Sequence, residues 1–245
     1  MIFYYTISRG YPATTLRLHR RIYFPASVPL RLSVSYNTYS TRYQCNIKHT
    51  TALNKEAIEI LSIGMIGPPL LLQQNRRIFQ QRDTEAFPLR TAQQLQKIDG
   101  LLITGCRPED YACQLYRLRT SIKCCADSLA LFGIAAGAAA LGQNQLLPLL
   151  NCRTYCQKAS AFTTSLLDVP CFQKSRFAAF FQPKICFADL APSLGILCHH
   201  PLHGPVIIRQ GDILACSYLA EWTEQQEIYQ YWLEMVETLK NSREI

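Results

Sequence analysis

The chain has 245 residues, 49% of them hydrophobic, with 25 Lys and Arg against 17 Asp and Glu, a formal net charge of +8. That apolar content excludes a globally disordered chain, and the length allows one domain of ~190 residues with an extension, or two small domains. Arg9, Arg17, Arg20, Arg21, Arg31, Arg42, Lys48 and Lys55 fall in residues 1–55, which hold no acid; residues 56–245 therefore carry 17 charges of each sign and are neutral. An electrostatic footprint for nucleic acid needs its excess charge on a folded domain, so nucleic-acid binding is not expected.

Residues 1–55 also hold seven of the thirteen tyrosines and show no sustained helical or strand period. Three readings stay open for this basic extension: an organelle-targeting presequence, a disordered or partly ordered arm, or sequence upstream of the true start. Tyrosines in such an arm can stack on RNA bases, but no groove-forming domain accompanies them.

From residue 56 the pattern changes. Ile58–Ile66 is an apolar run of strand length closed by Gly67-Pro68-Pro69, and residues 70–82 read as a helix with Leu71, Leu72, Ile78 and Phe79 on one side. Asp99–Gly105 reads as a second buried strand. Residues 109–125 follow with helical spacing of Tyr111, Leu115 and Leu118, and a third strand, Leu129–Ile134, runs into the small-residue stretch Gly133–Gly142. Continuous apolar strands alternating with helices predict a mainly parallel sheet covered on both faces, a three-layer α/β/α domain over residues 56–245. Val206–Arg209 and Asp212–Tyr218 flank Gln210-Gly211 as a tight hairpin. Residues 223–240 form an amphipathic helix burying Ile228, Tyr231, Trp232, Met235, Val236 and Leu239.

Eleven cysteines, odd in number and without a C-x-x-C pair, argue against a disulfide scaffold, a redox dithiol or a zinc ribbon. Cys124, Cys186 and Cys216 lie in apolar runs and are expected to pack as small hydrophobes. A reducing compartment follows, cytoplasmic or, if residues 1–55 are a presequence, organellar. No secretory signal is expected, since residues 1–30 lack a continuous apolar run, and no membrane span, since no stretch of 18 apolar residues occurs. Gly133–Gly142 lacks the spacing and the lysine of a nucleotide loop, and no cofactor is expected.

The order of these segments is similar to that of the class I glutamine amidotransferases. A strand ending on Gly67, DGLLITG at 99–105, FGIAAG at 132–137, LLPLLN at 146–151, VIIRQGDILACSYLAEWT at 206–223 and YQYWLEMV at 229–236 carry the resemblance. Within that family the Arg209-Gln210-Gly211 hairpin and the Trp232–Val236 helix favour the glutaminase subunit of pyridoxal 5′-phosphate synthase, which serves vitamin B6 biosynthesis. The stretch 152–180 aligns only loosely. The resemblance implies a cysteine at a sharp strand-to-helix turn, a histidine as its base and a glutamate orienting the histidine, together releasing ammonia from glutamine for a partner synthase subunit.

The chain keeps that frame and departs at its reactive positions. In Gly133-Ile134-Ala135-Ala136-Gly137 the nucleophile position is Ala135, and in Ser217-Tyr218-Leu219-Ala220-Glu221 the base position is Leu219; only Glu221 matches. The glutamine-gripping loop of the family reads Gly105-Cys106-Arg107-Pro108, where proline removes a backbone N–H. A family glutamine falls at Ile66, a substrate-binding arginine at Cys156, and a later Ile-Arg pair near Phe181, Gln182 and Pro183. A triad acts as a unit, so an inactive relative is expected, with glutamine binding in doubt. The chain is expected to dock on the synthase subunit or on an active glutaminase. The alternatives are a hydrolase or transferase of altered specificity using Cys106, and a decaying gene product. Cys198-His199-His200-Pro201-Leu202-His203 fits no zinc spacing and reads as a solvated loop.

Overall fold

The computed structural model describes residues 60–157, 162–181, 184–223 and 226–243. The basic extension at 1–55, Cys45 within it, and Gln182 and Pro183 lie outside the described residues.

In chain order the described elements are β1 (Ser62–Ile66), α1 (Pro69–Gln80), β2 (Glu85–Pro88), β3 (Gly100–Gly105), α2 (Ala112–Cys125), β4 (Ala130–Ala135) and α3 (Ala136–Ala139). There follow β5 (Arg153–Gln157), β6 (Thr163–Asp168), β7 (Arg176–Phe181), β8 (Lys184–Ala188), β9 (Gly195–His200), β10 (Gly204–Gln210), β11 (Ile213–Cys216) and α4 (Glu227–Arg243). Seven strands form one sheet in the order β2-β1-β3-β4-β11-β10-β9. The strands from β2 to β11 pair in parallel, and β10 pairs antiparallel with both neighbours. The β10–β11 hairpin turns on two residues, with Gly211 at φ +55°, a conformation that suits glycine.

Helices cover both faces. On one, Leu71, Ile78 and Phe79 of α1 and Tyr229, Trp232 and Val236 of α4 pack with Leu102 and Phe132. On the other, Leu115, Leu118 and Ile122 of α2 pack with Leu101, Ile103 and Leu131. Alternate residues of β3 and β4 thus enter opposite cores, which is why these strands read as unbroken apolar runs. The mainly parallel α/β/α architecture predicted from the sequence is the one observed. Phe79, Phe132, Tyr229 and Trp232 form a ring cluster with centroids 5.5–6.0 Å apart, joining both helices to the sheet.

Three expectations need correction, and one region for which no element was predicted is filled in. The last helix begins at Glu227 rather than 223, after a single 3-10 turn at Ala220–Trp222. Cys124 is exposed on α2 instead of packed, because the buried stripe of that helix runs through Leu115, Leu118 and Ile122; Cys186 is half-buried, and only Cys216 of the three is fully buried. Residues 152–200, which carry little periodic signal, contain five strands. β5 pairs with β8 and β6 with β7 as two-stranded ribbons, while β9 closes the edge of the main sheet. Finally, Cys198–His200 is the end of β9 and His203 sits half-buried in the turn to β10, so only Pro201-Leu202 of this stretch is a solvated turn.

Candidate functional site

The C-terminal ends of β3 and β4 lie side by side, with Gly105 paired to Ala135. Open parallel sheets place their functional groups at this edge. At the end of β4 the chain turns sharply into α3, with Ala135 at φ +49° and ψ −118°. A residue with a Cβ rarely occupies that region, at a cost of ~1–3 kcal/mol. The flanking glycines hold it there. A Cβ on Gly137 would lie 2.0 Å from the Ile103 carbonyl oxygen, and one on Gly133 would lie 2.6 Å from the Ala138 Cα. The turn can press against β3 only because both residues lack side chains. Ala135 itself is fully buried.

Leu219 is fully buried as well, in the same apolar cluster as Ala135. Its N–H donates to the Phe180 carbonyl at 2.8 Å, tying the segment to β7. Neither position offers a group that can attack a carbonyl or carry a proton.

Glu221 follows in the 3-10 turn, 9% exposed, its Oε1 accepting from Thr104 Oγ1 at 2.6 Å. Its Oε2 is buried with no hydrogen-bond partner. Burial pushes the carboxyl up to about 7; Thr104, its own backbone and the Asn75 amide favour the ionised form without offsetting that penalty. Asn75 is anchored elsewhere, donating to the Leu71 carbonyl at 2.8 Å and accepting from Tyr229 Oη at 2.7 Å. Tyr218 Oη and Ser217 Oγ are also buried and unpartnered. The buried thiol of Cys216 is pushed well above its ordinary range by burial and then by Glu221, so it is no nucleophile.

The loop after β3 consumes its own donors. Cys106 N–H and Arg107 N–H both donate to Asp110 Oδ2 at 2.9 Å. Arg107 and Pro108 are exposed. Cys106 is half-buried, and burial, then the Glu221 and Asp110 carboxylates, push its thiol up, with Arg107 acting the other way. No histidine acts on it among the described residues. Tyr111 seals the loop against the turn, donating to the Ala136 carbonyl at 2.5 Å. A cleft of about 470 Å³ borders the loop, lined by Pro88, Arg90, Glu109, Tyr111, Gln114 and Arg117 among others; it does not reach Ala135, Leu219 or Glu221.

Among the sequence-predicted site residues, Ala135 and Leu219 share one core with Cys106 packed against it, and Glu221 acts on Cys106. Cys156 stands apart, on β5 beside the opposite core, its thiol pushed up by burial and then Glu109. Ile66 is fully buried in that opposite core too. Asp110, Thr104 and Asn75 were missed. Thr104 bonds a residue 117 positions away, which no local pattern signals; Asp110, four residues after Cys106, had a readable turn spacing. Among the described residues no three His, Cys, Asp or Glu side chains gather as a metal site.

This architecture, with its strained turn at the sheet edge, is the fold of the class I glutamine amidotransferases. A glutamine amidotransferase crystal structure superposes with TM-score 0.60 at 22% identity, covering 71% of this chain and 98% of that one. A crystal structure from Thermoplasma acidophilum, described as that of a GMP synthase subunit, gives 0.61 at 14% identity, covering 76% and 99%. In sequence the chain is similar to the pyridoxal 5′-phosphate synthase subunit PdxT of several bacteria. It is 24% identical to that of Thermotoga petrophila over 191 aligned positions, covering 72% of this chain and all of the relative. The Corynebacterium jeikeium PdxT is 25% identical, covering 71% and 96%. No family model matches the chain.

Proposed function

We propose that this chain is a catalytically inactive relative of the glutaminase subunit of pyridoxal 5′-phosphate synthase, acting as a binding or regulatory partner of a synthase subunit or of an active glutaminase. One observation carries the reading: the positions where the resemblance puts nucleophile and base hold Ala135 and Leu219, both fully buried in one apolar cluster, while the strained turn around them persists. Support comes also from the loop at Cys106, whose donors are spent on Asp110, and from a Cys106 thiol held in its protonated form. Those features weigh against the reading in which Cys106 serves as a substitute nucleophile. The scaffold kept around an apolar site suits docking rather than turnover.

The test is co-purification of the full chain with a pyridoxal 5′-phosphate synthase subunit, in the presence and absence of an active glutaminase. A complex stable to gel filtration is expected. Failure to associate with either protein sinks the proposed role.

A further inference from the structure

The β6–β7 ribbon forms its own two-stranded sheet and lies against the segment Tyr218–Trp222. Besides the Leu219 N–H to Phe180 bond, the Tyr218 ring packs on Phe177 and Phe181, and Phe162 packs on Trp222 with centroids 5.0 Å apart. One side chain from outside the ribbon grips both of its strands. His203, in the turn before β10, stacks on Phe181 of β7 at 4.1 Å and 7°, and its Nε2 lies 2.9 Å from Ser165 Oγ of β6.

This grip suits a neutral imidazole and not a charged one. His203 Nδ1 is buried with no partner, so a second N–H there would find no acceptor. The titratable and charged groups that face it are His200 of β9, ring centroids 4.9 Å apart, and Lys184 of β8; its contacts on the ribbon, Ser165 and Phe181, carry no charge. Burial first, then His200 and Lys184, hold the imidazole below its ordinary range. The Phe181 face compensates a cation in part but supplies no acceptor.

We propose that the β6–β7 ribbon is a pH-gated strap over Tyr218–Trp222, latched by neutral His203 and loosened when that ring takes a proton. A base disfavoured as its cation in the latched state stabilises that state above its unlatched pKa, about 6.5, and the stabilisation is lost as the pH falls through it. Loosening would uncover Tyr218 and Leu219, the apolar segment that replaces the family's reactive one.

Hydrogen exchange of the full chain, corrected for the intrinsic pH effect, tests this between about pH 7.5 and 5.5. In the wild type, protection of the β6 and β7 amides is expected to fall severalfold on acidification while β3 and β4 keep theirs. His203→Phe retains a stacking ring without a titrating group and is expected to abolish the fall. His200→Gln removes one facing imidazole and is expected to shrink it. Ribbon protection independent of pH in the wild type, or an undiminished fall in either variant, overturns the proposal.

Discussion

The two turns at the ends of β3 and β4 adjoin each other, and they treat backbone geometry in opposite ways. The turn at Ala135 holds a strained φ of +49° that serves no reactive atom, because Gly133 and Gly137 let α3 press on β3. The loop at Cys106 turns its donors inward, the Cys106 and Arg107 N–H groups both bonded to Asp110 Oδ2. Strain survives where packing enforces it, and donor geometry disappears where one nearby carboxylate can satisfy it. The strained turn is thus held by packing alone, whatever side chain stands at its apex.

The largest effect should come from testing that enforcement. Gly137→Ala places a methyl on the Ile103 backbone, which cannot move aside without breaking the sheet, and should cost more than ~3 kcal/mol or prevent folding. Denaturant titration measures it; Gly204→Ala, at φ +73° with open space around it, should lose only about 1 kcal/mol. A mild effect at Gly137 would mean that packing does not hold the turn.

Next comes Glu221, the polar remnant between the two turns. Its folded-state carboxyl, at about 7, lies above the unfolded value of 4.5, so the folded state holds the proton longer. That stabilisation is present below pH 4.5 and is lost as the pH rises through 7, a swing of about 3 kcal/mol. Glu221→Gln should remove this part of the pH dependence of global unfolding and gain most over the wild type above pH 7. An identical pH profile in the variant would show the carboxyl to be less constrained than its burial implies. The His203 effect runs the opposite way and is local, so ribbon exchange and global unfolding separate the two.

The smallest expected change tests the loop. Asp110→Ala frees the Cys106 and Arg107 N–H groups, and since the loop is partly exposed, water takes them up; a loss of ~1–2 kcal/mol in unfolding free energy is expected. The same variant should increase exchange of those two amides.

Much of this comparison was legible before the structure. The strands at 99–105 and 129–134 follow from apolar runs closed by small residues, whereas Ala135, Leu219 and Glu221 are singled out by the resemblance to the glutamine amidotransferases. The β5–β9 region was not legible, because polar and exposed residues such as Thr163-Thr164-Ser165 interrupt β5, β6 and β9, and the apolar runs at 177–181 and 185–188 pair in two-stranded ribbons outside the main sheet. The histidines of 199–203 read as loop because Pro201 and Gly204 flank them. Only the fold sets Phe181 and Ser165 beside His203, 22 and 38 positions away. The partner of Glu221 was hidden for the same reason. Thr104 resembles any polar residue near a strand end until β3 and the 220s meet.

Ammonia release from glutamine by the full chain, measured beside Cys106→Ala, tests the proposed inactivity most directly. With Ala135 and Leu219 at the reactive positions, both proteins should release ammonia no faster than buffer, whether or not a synthase subunit is present. Release by the wild type that disappears in Cys106→Ala would contradict an inactive site.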